Sequence, residues 1–335
     1  MSNIVFTESS GLQDSVYGKI LDPLRMVIET KAEAFQQQSL LPLLFNMEKS
    51  AHYGESITGM TSMQGPKPVG EAGDYPYDGF QEGYKSVLVH ETWKDKFEIS
   101  KEMLDDNNIL QLKNRPTAFV NAWNRTREMF GIRLFGEATQ GNGSFTTGGK
   151  TFSTKGADGQ CLFYASHPSK TGNYGTQSNV FSDPFSADAL AALESKMQDF
   201  RDDNGVVLDV SPTTIMIPND YALKKAVFAA IGADKDPETA NNGFNFLFGR
   251  WNVIISQYLN QFIGSTNTPW ILLDRNYNET CIGSVWYDRE PLTISAKVAD
   301  NDNLQHKGRA RWSAGFHDWR FAAVGGISGA SALIS

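Results

Sequence analysis

Strict alternation along YKSVLVHETWKDKFEIS, Tyr84 to Ser100, constrains this chain more than any other feature. Lys85, Val87, Val89, Trp93, Phe97 and Ile99 share one face, while Ser86, His90, Thr92, Lys94, Lys96 and Glu98 share the other. Period two means strand. About 17 residues at roughly 3.3 Å each would span on the order of 55 Å, far beyond an ordinary strand. The preceding stretch from Ala51 is polar (AHYGESITGMTSMQG) and leads into a Pro/Gly-rich tip, PKPVGEAGDYPYDGFQEG. Together, residues 51–100 predict a two-stranded ribbon. A ribbon this long cannot bury itself and is marginal alone in water. It needs a surface to lie on, and a neighbouring copy of the chain is the natural candidate.

Bulk properties narrow the classes. A length of 335 residues predicts two or three lobes rather than one simple core. Charged residues at 20% and apolar residues at 40% describe a folded protein. A net charge of −8 argues against a dedicated sequence-reading DNA binder. Cys161 and Cys281 lie far apart, match no CxxC spacing and read as free thiols. No apolar run is long enough to span a membrane. The N-terminus, MSNIVFTESSGLQ, lacks a secretory layout, so a cytoplasm-like, reducing compartment is expected.

Along the chain, residues 1–50 read as an extended arm with one helix from Leu24 through LRMVIETKAEAFQQQ. KEMLDDNNILQL reads as a short helix and turn. A long helix follows, Pro116 to Thr139, with Phe119, Trp123, Phe130 and Leu134 on one face and Arg125, Arg127 and Arg133 on others. Residues 140–183 are loop-rich. From Ser186, a helix, strands at TTIMIP, WNVIIS, WILLD and SVWYD, and a helix after Asn219 predict a small α+β lobe, 184–287. That lobe includes a loop at GADKDPETANNG. LTISAKVAD and LQHKGRARWSAGFHDWRFAAVG are expected to form strands of a third element.

Catalytic signatures fail on inspection. TTGGKT resembles the end of a phosphate loop, but Ser144 stands where the first glycine is required. GxSxG is absent, and His90-Glu91 lacks the second histidine of HExxH. His90, on the polar face of the long strand, is expected to be solvated or paired. His167-Pro168 reads as a turn whose histidine bonds loop backbone. No enzyme activity, cofactor or metal is expected.

Charge offers more. From Gly70 to Gly83 the ribbon tip carries Glu71, Asp74, Asp78 and Glu82 and no Lys or Arg. Lys307, Arg309 and Arg311 alternate along one strand and so point to one side. Two solvated faces would explain this, but so would contact between the tip of one copy and the basic strand of another. Such pairs set register and salt sensitivity more than strength. Tyr75, Tyr77, Phe80 and Tyr84 are the candidate aromatic anchors near the tip. Arg125, Arg127 and Arg133 are candidates for contact with nucleic-acid phosphates, or for internal pairing with Glu128 or Glu137.

The element order resembles the HK97-type capsid fold of tailed-phage major head proteins. Three stretches carry the resemblance: WKDKFEISKEMLDDN (Trp93–Asn107), ADGQCLFYASHPSKTG (Ala157–Gly172) and LDVSPTTIMIPNDY (Leu208–Tyr221). All three are similar to the major head subunits of Mu-like phages and prophages. The resemblance implies an α+β fold divided into an N-terminal arm (1–50), an E-loop ribbon (51–100), a P-domain with spine helix (101–183 and 288–327), an A-domain (184–287) and a C-terminal tail (328–335). It implies hexamers and pentamers closing an icosahedral shell around double-stranded DNA, bound without sequence specificity. The virion is the implied location, after assembly in the host bacterial cytoplasm. Portal, scaffolding and decoration proteins are the further partners such a shell takes. The chain departs from some members of the family: no long, charged, helical scaffold segment is read at its N-terminus, and no intersubunit isopeptide bond is expected at Lys67. A nanocompartment shell or another virion protein, such as a tail component, is the rival reading.

Overall fold

A computed structural model describes residues 4–6, 39–61, 63, 65–71, 73–79, 81–105, 109–172, 174–232, 245–264 and 268–327. The helix expected from Leu24, most of the 232–243 loop and the 328–335 tail lie outside the described residues. In chain order the first elements are β1 (Ile4–Phe6), α1 (Leu41–Leu44), β2 (Asn46–Lys49), β3 (Gly54–Met60), β4 (Glu82–Val89) and β5 (Glu91–Ile99). The helices α2 (Lys101–Asp105) and α3 (Ile109–Thr139) and the hairpin β6 (Ser144–Thr147) and β7 (Lys150–Ser153) follow. The remainder comprises α4 (Ala187–Gln198), β8 (Thr214–Pro218), α5 (Tyr221–Ile231), β9 (Asn252–Ser256), β10 (Trp270–Leu273), α6 (Arg275–Cys281), β11 (Ser284–Val298), β12 (Leu304–Phe316) and β13 (Ala322–Gly325).

The body sheet runs β1-β11-β12-β5, with β2 also paired to β11. A second sheet, β13-β10-β8-β9, forms the small lobe with α4 and α5. Two strands therefore lie in a different sheet from the one expected. Ser284–Tyr287 opens the long body strand β11, and Ala322–Gly325 completes the small-lobe sheet against Trp270–Leu273. A four-residue apolar string carries no label for which sheet it joins.

The long helix also differs from expectation. It begins at Ile109, and Pro116 lies inside it. Proline lacks the N–H that would bond one turn back, which is why sequence rules start a helix there. The predicted stripe is correct: Phe119, Trp123, Phe130 and Leu134 are all buried. Phe119, Trp123 and Phe130 pack on the body sheet. Trp93 stacks on Trp312 with centroids 4.8 Å apart, Trp123 meets Trp312 edge-on at 6.3 Å, and Phe130 meets Trp286 at 5.9 Å. Each such side chain contributes about 1.5–3 kcal/mol by leaving water. Gly308 lets the helix come this close, because a Cβ there would lie 2.8 Å from Phe119 Cζ.

The long alternating run is not one ribbon strand. It breaks at His90 into β4, paired with β3, and β5, paired with β12. Its inward face also switches. In β5, Trp93, Phe97 and Ile99 point toward the core. In β4 the inward set is the even-numbered one: Leu88 packs with Ile57, Val285 and Tyr287, while Val87 and Val89 are exposed. The ribbon root thus covers one half of the sheet face opposite α3. The break gives Glu91–Ile99 to the body sheet, so the paired ribbon is confined to Gly54–Met60 against Glu82–Val89.

His306, on β12, faces the core and stacks on Phe97 at 4.7 Å. Its Nδ1 has no hydrogen-bond partner among the described residues. Burial pushes its pKa down to about 4. An unfolded histidine protonates near pH 6.5, so the stability due to the neutral ring is complete above about pH 6.5 and drains away as pH falls toward about 4. The whole loss is on the order of 3 kcal/mol. Urea unfolding at pH 7 and 4.5 should show His306→Phe losing about 2–3 kcal/mol less than the unsubstituted chain over that interval. Equal losses would contradict the assignment. Burial lowers the pKa of His90 and His317 in the same direction, so some acid sensitivity will remain.

Candidate intersubunit surfaces

The ribbon tip stands away from the body. Tyr75 is 100% exposed and Tyr77 93% exposed, and Met60, Met63 and Val69 are more than half exposed. Glu71 and Asp74 are exposed, whereas Asp78 is half-buried because its carboxylate accepts the Gly65 N–H at 2.9 Å. Phe80 lies outside the described residues.

Tyr84 belongs to the root instead of the tip. Its hydroxyl donates to the Pro168 carbonyl at 3.4 Å, and the Lys170 ammonium lies 5.8 Å from its ring centroid. Two residues farther on, Ser86 Oγ hydrogen-bonds His317 Nδ1 at 2.8 Å. His90 is buried where the ribbon meets the body, with Nε2 2.8 Å from Ser50 Oγ and Nδ1 3.0 Å from Ser313 Oγ. Of the two roles expected for it, paired is correct and solvated is not. These ties join residues as far apart as 231 positions, so nothing local could reveal them.

Lys307, Arg309 and Arg311 share one face of β12, as the alternation required. Lys307 and Arg309 are exposed and Arg311 is half-buried. Lys96 stands opposite Lys307 and Lys94 opposite Arg309, so β5 doubles the basic row. Among the described residues, Glu290, 3.5 Å from Arg309, and Glu98, 3.0 Å from Lys96, offset it by direct ion pairs. This half of the sheet face lies beside the half that the chain's own ribbon root covers.

The helix arginines do not form a common outward row. Arg127 pairs with Asp288 at 2.6 Å and lies over Trp286 at 4.9 Å. Arg133 pairs with Glu137 at 2.9 Å, donates to Thr147 Oγ1 at 2.7 Å and covers Phe145. Both guanidiniums are therefore engaged within the chain, and of these three candidates Arg125 is the exposed one. Glu128, the alternative internal partner, instead accepts from Ser39 Oγ and the Leu40 N–H.

Other motifs resolve into structure. TTGGKT is the turn of the β6–β7 hairpin, with Gly148 and Gly149 both at positive φ, as a two-residue primed turn requires. His167 does not serve loop backbone with its ring. It bonds Asp158 at 2.6 Å and Asn179 at 3.3 Å and stacks on Trp319 at 4.1 Å. Among the described residues no helix is long and apolar enough to cross a membrane, and no three His, Cys, Asp or Glu side chains are grouped as metal ligands.

A body that holds bare tyrosines out on a tip, beside a basic sheet face left uncovered, has the form of a subunit made to contact other chains. The chain belongs to the phage capsid protein family, whose profile matches residues 84–325. It is a structural protein of a phage shell. Similar solved structures include a chain from Mycobacterium phage Bobi, with 10% identity, coverage of 87% of this chain and 91% of that chain, and a TM-score of 0.49. The head structure of Helicobacter pylori bacteriophage KHP40 is similar at 8% identity over 85% and 88%, TM-score 0.49. The capsid structure of the Cyanophage P-SCSP1u is similar at 9% identity over 85% and 86%, TM-score 0.49. No curated protein sequence matches the chain.

Proposed function

We propose that this chain is the major head subunit of a Mu-like tailed phage or prophage. Its copies form hexamers and pentamers that close into an icosahedral shell around double-stranded DNA. Assembly takes place in the host bacterial cytoplasm, with portal and scaffolding or decoration proteins as further partners. The chain's role is structural, carried by repeated interfaces. Residues 1–50 serve as the arm, 51–100 as the E-loop, 101–183 and 288–327 as the P-domain, 184–287 as the A-domain and 328–335 as the tail. The observation that supports this reading most is the full exposure of Tyr75 on a tip whose root is tied to the body. Obligate interfaces of about 2,000–5,000 Å² would hold the shell without any strong single contact.

Glu71, Asp74 and Asp78 of one copy meet Lys307, Arg309 and Arg311 of the next, with Tyr75 and Tyr77 seated beside them. Exposed pairs contribute about 0–1 kcal/mol each, so they select register. A charge swap tests the pairing. Arg309→Glu and Asp74→Lys should each reduce shell yield in sedimentation, and the double variant should recover it. Failure of the double variant to recover, or full yield from both single variants, would count against it. Of Arg125, Arg127 and Arg133, Arg125 is the one left available to phosphate.

A further inference from the structure

The ribbon carries an irregularity at one place. Between the pairs Thr58↔Lys85 and Met60↔Glu82 the register shifts, so Gly83 and Tyr84 stand opposite Gly59 alone. A bulge of this kind bends the strand and leaves backbone groups outside the ladder. The strands are pressed together there, since a Cβ on Gly83 would lie 3.0 Å from the Gly59 carbonyl carbon. Lys170 Nζ donates to the Glu82 carbonyl at 3.0 Å and to the Gly83 carbonyl beside it. The lysine is delivered by a tethered loop. Ser169 and Thr171 hydroxyls donate to the Asp203 carbonyl, and the Lys170 N–H donates to the Asp203 carboxylate at 3.4 Å. Asp203 is itself held by Arg320 at 3.1 Å, with both side chains nearly buried.

We propose that Lys170 is the residue that sets the heading of the tip, and through it the angle between neighbouring subunits. A tip that reaches another copy transmits its direction to that copy, so a loosened bend broadens the range of curvatures. This rests on the shell reading above. Without Lys170 the root keeps its other ties, because Tyr84–Pro168, Ser86–His317 and the Leu88 contacts remain.

The test compares full-length Lys170→Met and Lys170→Arg with the unsubstituted chain by thermal melting, hydrogen exchange and electron microscopy. In Lys170→Met, amides around the bend (59–61 and 81–84) should exchange about tenfold faster with the melt unchanged. Its particles should lose their uniform diameter or fail to close, and Lys170→Arg should restore both properties. Uniform particles of the original diameter from Lys170→Met would overturn the proposal, as would unchanged exchange at the bend. If the unsubstituted chain builds no particles at all, the shell reading fails instead, and the exchange comparison still decides whether Lys170 holds the bend.

Discussion

Replacing residues 62–80 with an Asn-Gly turn is expected to abolish shell formation and leave the body folded. The ends to be joined are already adjacent: the Thr61 N–H donates to the Gln81 carbonyl at 3.0 Å, and the Gln81 N–H donates to Thr61 Oγ1 at 2.9 Å. A two-residue primed turn suits such a pair. Every contact that ties the root to the body, at Tyr84, Ser86, Leu88 and His90, lies outside the deleted segment. The segment itself contributes exposed surface, Tyr75 and Tyr77 above all, and so little to the stability of the single chain. Buried in an interface, aromatic anchors of this type carry about 2 kcal/mol or more each, repeated at every copy. The melting temperature should therefore hold while sedimentation shows no shells. Normal shells from this variant would remove the tip from the assembly mechanism.

Arg320→Met is expected to have the largest effect on the folded chain. Arg320 lies in the joint between the small lobe, the 167–171 loop and the body sheet. It pairs with Asp203 at 3.1 Å and Asp318 at 3.2 Å, donates to the Arg201 carbonyl at 2.9 Å and stacks over Trp319. Burial opposes its charge, but Asp318, Tyr277 and Asp203 outweigh burial and hold the guanidinium well above the ordinary arginine range. Methionine would fill much of the volume and leave two nearly buried carboxylates without their cation. Breaking one side of a buried pair costs about 3–5 kcal/mol, which in a chain of this size lowers the melting temperature by about 4–7 °C. Arg275→Met is the control, because its pair with Glu279 is half exposed and contributes about 0.3–0.5 kcal/mol. Urea unfolding of the two variants separates the cases. Equal losses would contradict the assignment of Arg320 as a buried cation that holds the joint.

Much of the architecture is legible in short-range pattern. The period-two run, the Phe119-Trp123-Phe130-Leu134 stripe and the β-branched strings of the small lobe each report a local geometry, and each forms the expected type of element. What escapes is anything decided by distant partners. His90 looks like one more polar position in an alternating strand, yet Ser50 and Ser313 make it the point where the run changes sheet and inward face. Pro116 stops a helix by rule, but α3 continues through it along a face that packs on the body sheet. Arg127 looks like a free cation on a helix until Asp288 and Trp286 arrive from elsewhere in the chain, whereas the Arg133–Glu137 pair, four residues apart, is local and among the pairings expected. The acidic tip and the basic strand were visible because charge and alternation are local properties. Lys170 was invisible because its role depends on a bulge far away in sequence.

Electron microscopy of the purified chain, with its size-exclusion profile across salt and protein concentration, tests most directly whether it builds a shell. Closed particles of tens of nanometres, or ring-shaped capsomers that close on concentration, are expected. A single small species, monomer or dimer, persisting at every salt and concentration with no rings or particles in the images, would contradict it.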